Sequence, residues 1–278
     1  MSVIAVAKKE FRNAVRANTL LGLTLLFVIW VGFIASIQHV PTMYRDSPVP
    51  ASTLALLNSL RQSTIFFVPA IGILLGYDAI IGAREQGMLK LTLSLPNSRG
   101  EVVWGKFLGQ SAVVSVAISA GYATAGLVAV ATYDLFAFDI FGLYTVLTVG
   151  YGAVYIALAV GLSAFLRSRR TAFSVAFGLY ALFMLFWDVL VFGIKLLVVG
   201  GGLQDGGQPA WLEALLMLNP SSAFAYAARA VIPEYHELTS YPESNAVYTQ
   251  DWVGFVVLIA WVFVPLSLGY LRFSRMDL

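Results

Sequence analysis

The sequence predicts an all-α integral membrane protein with six transmembrane helices, the first preceded by an amphipathic helix. Its charged residues, 17 lysines and arginines with 15 aspartates and glutamates, make up only 12% of 278 residues, against about 25% in a soluble domain. Hydrophobic residues reach 59% and mean hydropathy is +0.81, so too few polar groups remain to cover a soluble surface. Six continuous apolar runs approach or exceed the roughly 20 residues needed to cross hydrocarbon, which also excludes a β-barrel of short alternating strands. With no cysteine there is neither a disulfide framework nor a thiolate metal site, and a net charge of +2 without a basic tail gives no argument for nucleic acid.

Residues 3–17 read as an amphipathic helix. Ile4, Ala7, Phe11 and Val15 recur at helical spacing, and Lys8, Lys9, Arg12, Asn13 and Arg16 occupy the opposite face. Such a helix lies in the headgroup layer with its cations near anionic lipid. The expected spans are about 19–37, 63–82, 105–132, 140–166, 171–199 and 252–271, in one membrane domain. The first is too long for a cleaved signal and is expected to stay as an anchor.

Lysine and arginine set the orientation. Lys8, Lys9, Arg12, Arg16, Arg84, Lys90, Arg99, Lys106, Arg167, Arg169, Arg170, Arg272 and Arg275 fall on one side, against only Arg45, Arg61 and Arg229 on the other. Both termini are therefore expected in the cytoplasm of a multi-pass plasma-membrane protein, with an acidic outer face.

The segment 83–101 is the most informative loop. Its stretch from Arg84 to Leu95 is apolar enough to need a partner surface, Pro96 stops it, and Ser98 with Glu101 forms a capping box that starts the third span. A short helix exposing Met88, Leu89, Leu91, Leu93 and Leu95 beside Arg84, Glu85 and Lys90 suits docking into a protein groove; lying flat on the bilayer is the plain alternative.

The run Arg84-Glu85-x-Gly87-x-Leu89-Lys90, then Leu93-Ser94-Leu95-Pro96-x-Ser98-Arg99 and Gly105-Lys106, resembles the coupling loop of ABC-2 type transporter permeases. Leu74 to Gly82, Gly105 to Gly109, Trp187-Asp188-Val189-Leu190 and Leu218-Asn219-Pro220 are similar to the NosY-like branch of that family. The resemblance extends over most of the chain and implies an elbow helix, a cytoplasmic coupling helix and a permease subunit that pairs with a second copy, in a homodimer. It implies further that the coupling helix, carried by Arg84, Glu85, Met88, Leu89, Leu91 and Leu93, sits on a separate ATP-binding cassette subunit that holds ATP and Mg²⁺. Ala83 and Met88 depart from the family pattern, which often has Glu at the first position and Thr or Ser at the second. NosY-like subunits are associated with copper delivery to a secreted reductase. The branch therefore implies an alternative role, a mechanical adaptor that serves an extracytoplasmic partner without passing a solute.

Several tempting motifs yield simpler readings. Gly100 to Phe107 nearly matches a phosphate-binding loop, but Phe107 cannot ligate Mg²⁺ and the segment begins a helix, so no cofactor is assigned to this chain. Asp78 and Asp188 cannot form a catalytic pair: Asp78 ends its span at the cytoplasmic side, whereas Asp188 lies 18 residues beyond Arg170, about 27 Å toward the outside. Asp188 is expected to face the protein interior or a hydrated vestibule with a gating role, and Lys195 to snorkel to the outer headgroups. His39, His236 and Met43 lack partners at ligand spacing. Gly72 with Gly76, and Gly105 with Gly109, are read as packing inside the bundle. In the outer segment 200–250, the patterns from Ala210 to Leu218 and from Ser221 to Val231 are too short to cross. They are expected at the outer interface, with Trp211, Tyr226, Tyr235, Tyr241 and Tyr248 in the headgroup layer.

Overall fold

A computed structural model describes residues 2–37, 52–89, 94, 98–133, 135–199, 210–239 and 246–276. Among them the elements are α1 (Val3–Arg16), α2 (Thr19–Ile37), α3 (Thr53–Gly76), α4 (Ile81–Glu85), α5 (Arg99–Thr132), α6 (Phe138–Phe165), α7 (Arg169–Ala181), α8 (Trp187–Val199), α9 (Ala210–Met217), α10 (Pro220–Val231) and α11 (Val253–Ser274). A π-helical turn, Leu182–Phe186, joins α7 to α8, and the described residues contain no strand, only an isolated bridge between Ser52 and Leu135. Six helical stretches are long and apolar enough to cross a membrane: α2, α3 with α4, α5, α6, α7 with α8, and α11. An even number of crossings puts both ends of the bundle's chain on one side, here termed the basic end.

The second of these helices starts at Thr53, ten residues before the expected start at 63. Asn58, Ser59, Arg61 and Gln62 dilute the hydropathy there, yet Leu56, Leu57 and Leu60 are fully buried, and the Ser52 hydroxyl accepts from the Ala55 amide to cap the first turn. Arg61 consequently lies inside the helix, about 12 Å from its start, and not in the outer loop.

Glycines set the helix spacing. Gly72 and Gly76 of α3 meet Tyr155 and Ala159 of α6, Gly105 and Gly109 of α5 receive Val6 and Ala7 of α1, and Gly121 of α5 meets Phe27 of α2. Gly161 of α6 rests on Gly269 and Pro265 of α11. The two Gly-x-x-x-Gly pairs thus work within one chain, because a Cβ at these positions would strike the neighbouring helix. Docking through Val6 and Ala7 turns α1 differently from the expected face: Val6 is buried, while Ile4 and Val15 are exposed. Asn18, at φ 57, makes the corner into α2, a left-handed backbone that asparagine tolerates. Between α5 and α6, Tyr133 donates to the Ala35 carbonyl at 2.9 Å, and burial pushes its phenol up to about 12.

The outer segment differs most from expectation. α10 is buried from Pro220 to Arg229, packed between α6 and α11. At its start, Ser221 shares a 2.7 Å hydrogen bond with Tyr151, thirteen residues or about 20 Å along α6. α9 and α10 therefore form a re-entrant hairpin whose apex, Leu218 to Pro220, reaches the middle of the bundle. Irregular backbone is tolerated at that depth only where its polar groups are met by protein. Trp261 donates to the Leu218 carbonyl at 2.9 Å, and the Asn219 amide donates to the Phe183 carbonyl, inside the π-turn, at 2.8 Å. Tyr226 and Tyr235 belong to the core and not to a headgroup belt, whereas Trp211 and Tyr248 are exposed; Tyr241 lies outside the described residues.

Replacing Gly76 by Leu should force α3 from α6 and cost about 1–3 kcal/mol. Thermal unfolding in detergent should show a lowered midpoint, whereas Gly142→Leu, which meets open space, should leave it unchanged.

Candidate functional site

The chemistry-bearing side chains gather at the basic end, around the loop from α3 to α5. The turn after Gly76 carries Asp78, whose carboxylate pairs with Arg169 at 2.8 Å, and then Ile80 and Ile81, whose amides both donate to the Ser163 hydroxyl of α6 at 3.0 and 3.1 Å. Ser163 is fully buried, so two amides at a break between helices are satisfied where water does not reach.

α4 follows and is short. Gly87, at φ 72, donates its amide to the Arg84 carbonyl and closes the helix, which resumes at Met88 and Leu89. A continuous helix from Arg84 to Leu95 is therefore not formed: glycine's left-handed backbone breaks it at its fourth residue. Arg84 is half-buried and donates to the Leu166 and Arg167 carbonyls at 3.1 and 2.7 Å, and to the Met276 sulfur at 3.2 Å. It thus closes the C-terminal end of α6, where carbonyls lack partners. Glu85 accepts the Arg169 amide at 3.2 Å, an anion at the start of α7 where the helix dipole favours it.

The far side of the loop is anchored in the same manner. Ser98 and Glu101 form the expected capping box. Arg99 donates to the Phe273 and Met276 carbonyls at the end of α11 and stacks over the Phe273 ring at 5.4 Å. Lys106 is buried and paired with Glu10 of α1 at 2.9 Å. The near-phosphate-loop motif is part of a regular helix, and its lysine is engaged.

Met88 is 48% exposed and Leu89 only 1%. Leu89 packs in the core and is withdrawn from the exposed docking face, while Leu91 and Leu93 lie outside the described residues. Asp188 is exposed on α8, between Leu185 and Val189, which are 61% and 65% exposed, and so does not face the interior of this chain. The reason is that the fifth crossing touches the bundle along a narrow strip, occupied by Ala172, Ala176 and Tyr180 of α7, Phe183 of the π-turn and Val191 of α8. Lys195 is half-buried on the same helix.

At the opposite end, buried Arg229 donates to His236 Nδ1 at 3.1 Å and approaches Asp251 at 3.3 Å, while His236 Nε2 donates to Asp251 at 3.1 Å. This triad ties the end of α10 to the start of α11. Among the described residues no cluster of three metal-ligating side chains occurs; His39 and Met43 are not among them.

Sequence reading missed Ser163, and it noted Asn219 in a family run without its bonding role. Ser163 gives no local signal, being an ordinary small residue in an apolar helix. Asn219 did give one, an Asn-Pro pair that starts a helix: its Oδ1 accepts the Ser221 amide at 2.9 Å while its amide reaches the π-turn. Replacing Ser163 by Ala should leave the Ile80 and Ile81 amides buried without an acceptor, at about 1–3 kcal/mol each. Amide exchange at those two residues should accelerate while exchange in α2 stays as it was.

A model of the ABC-2 family transporter proteins matches residues 4–278. The probable ABC transporter permease protein NosY of Stutzerimonas stutzeri is 32% identical over 290 residues, covering 97% of each chain. The protein described in the same words from Pseudomonas aeruginosa is 31% identical over 277 residues, covering 93% of this chain and 96% of its own. With a family model matched along nearly the whole length and two relatives above 30% identity over more than nine-tenths of each chain, the chain belongs to the ABC-2 family of transporter proteins.

Proposed function

We propose that this permease subunit of an ABC transporter takes its energy from a separate ATP-binding cassette subunit, which docks on the loop 83–101 in the cytoplasm. The chain is the membrane component of the transporter and not its ATPase. ATP and Mg²⁺ then sit on the partner. The single observation that carries the docking site is the wiring of that loop: α4 and the residues beside it are bonded to α6, α7 and α11, while Met88 stands exposed next to them. A push delivered at Met88 has rigid connections to follow. The basic end faces the cytoplasm on this reading, in accord with the thirteen cations that the sequence groups on one side of the membrane.

A second copy of the chain completes the transporter. The exposed carboxylate of Asp188 would cost roughly 2.5–3.5 kcal/mol against lipid in mid-membrane, a cost removed where a second protomer or a hydrated path between the two covers it. α7 and α8, whose most apolar stretch is only 11% buried, are the face with most to gain.

The adaptor role is a second reading, favoured by the re-entrant hairpin. Its apex is bonded to α6, the π-turn and α11, so movement of the helices reaches the outer surface without a solute having to pass.

Met88→Asp should leave the chain folded and abolish co-purification with the ATPase subunit, whereas Leu89→Asp should reduce folded yield because its side chain is in the core. Retained assembly in the Met88 variant would remove the docking site from this loop. The chain lacks cysteine, so Val189→Cys gives a single thiol. Oxidation in membranes should produce a cross-linked dimer, and Val146→Cys, exposed on α6, should not.

A further inference from the structure

A cleft of about 780 Å³ opens at the basic end between α1, the turn after α3 and the first turns of α5. α1 supplies its rim with Lys8, Lys9, Arg12 and Arg16, all exposed, and among the described residues none of these four is in an ion pair. The two acids that line the cleft do not neutralise them, since Glu10 is engaged by Lys106 and Asp78 by Arg169. The floor is polar in the complementary sense. Asp78 Oδ1 and Gln110 Oε1 are buried and accept no hydrogen bond from the described residues. Deeper in the cleft, Leu75 and Ala79 supply an apolar wall on the side of the hydrocarbon.

Such a site fits one kind of molecule: an anion for the rim, hydroxyls for the floor and an apolar body for the deep wall. We propose that the cleft binds an anionic phospholipid with a hydroxyl-bearing headgroup, of which phosphatidylglycerol is the simplest. The phosphate sits among Lys9, Arg12 and their neighbours, the headgroup hydroxyls donate to Asp78 and Gln110, and the acyl chains leave past Leu75. The bound lipid wedges α1 against α4 and lies beside Met88, which also lines the cleft. This differs from diffuse attraction of a basic helix to a charged surface, because it requires a concave site with defined partners. It does not depend on the docking of an ATPase. A free phosphoanion offers the rim the same chemistry without the apolar body.

The full-length chain in detergent, incubated with phosphatidylglycerol or phosphatidylcholine, allows bound lipid to be counted by native mass spectrometry. Wild type should retain one phosphatidylglycerol with about a 10-fold preference or more. Lys9→Gln with Arg12→Gln, both at exposed positions, should weaken retention roughly 20-fold. Arg272→Gln with Arg275→Gln removes the same charge from the same end of the bundle but outside the cleft, and should leave retention unchanged. Equal retention of the two lipids, or equal loss in the two double variants, overturns the site. Inorganic phosphate at about 20 mM, if it displaces the lipid and raises the unfolding temperature of lipid-free protein as much as the lipid does, overturns the lipid in favour of a soluble phosphoanion.

Discussion

The last carbonyls of a membrane-spanning helix have no partner within the helix, and near hydrocarbon they cannot count on water. Here one loop supplies donors to two such ends, Arg84 to α6 and Arg99 to α11. The guanidinium suits this task, since it presents five donors in a fixed planar fork and remains charged, and so holds a cluster of carbonyls in a defined geometry. Satisfying α6 and α11 thereby joins three stretches far apart in sequence: the loop after α3, the junction of α6 with α7, and the residues beyond α11. The arrangement at the basic end depends on that shared need. Asp78, Glu85 and Ser163 extend it by closing the start of α7 and the break between α3 and α4.

The helices attached to this network are themselves coupled in close pairs. Glycine contacts bring α3 onto α6, α6 onto α11, and α1 onto α5 at backbone distance, where small displacements meet hard contacts and the pair moves together. The fifth crossing is different in kind. It touches the bundle through few buried side chains, and the Phe183 carbonyl of its π-turn accepts from Asn219 of the hairpin. π-turns of this sort interrupt the regular ladder and concentrate adjustment in one place. The fifth crossing is therefore the element whose position is set least by its own chain.

Much of the fold could be read from the sequence because hydrocarbon imposes a length and a polarity on every crossing. The six apolar runs, the capping box of Ser98 and Glu101 and the intrachain use of the glycine pairs all follow from local pattern. What could not be read depends on packing between distant segments. The start of α3 was obscured by Asn58, Arg61 and Gln62, whose polarity is tolerated next to the outer loops. α9 and α10 looked like interfacial helices, because an eight- or twelve-residue helix has no length signal, and burial of Tyr226 and Tyr235 needs partners from α11 and α6 respectively. In the site, Arg84 and Glu85 were legible as charges on a loop, but their bonds to α6 and α7 were not. Leu89 could not be told from Met88, since a short apolar run does not reveal which side faces the protein.

Transmission across the membrane requires one stiff path between the two ends, and α6 with α11 is suited to be it. α6 is about 42 Å long, enough to span the hydrocarbon and enter both interfaces. Its basic end is held by Arg84, and Tyr151 near its middle is bonded to Ser221 at the apex of the re-entrant hairpin. α11 lies along it through Gly161 and Gly269, holds the same apex through Trp261, and receives α10 where Gly254 meets Ala223 and Ala227. The Arg229, His236 and Asp251 triad then fixes the hairpin's exit to the start of α11. A rotation begun at the loop would reach the outer segment through two helices held at backbone contact, with the hairpin as the part they carry. Because the hairpin's apex also grips the π-turn through Asn219, the same rotation would reposition the crossing that bears Asp188. The exposed carboxylate sits where motion driven from the basic end would alter the surface presented to whatever covers it.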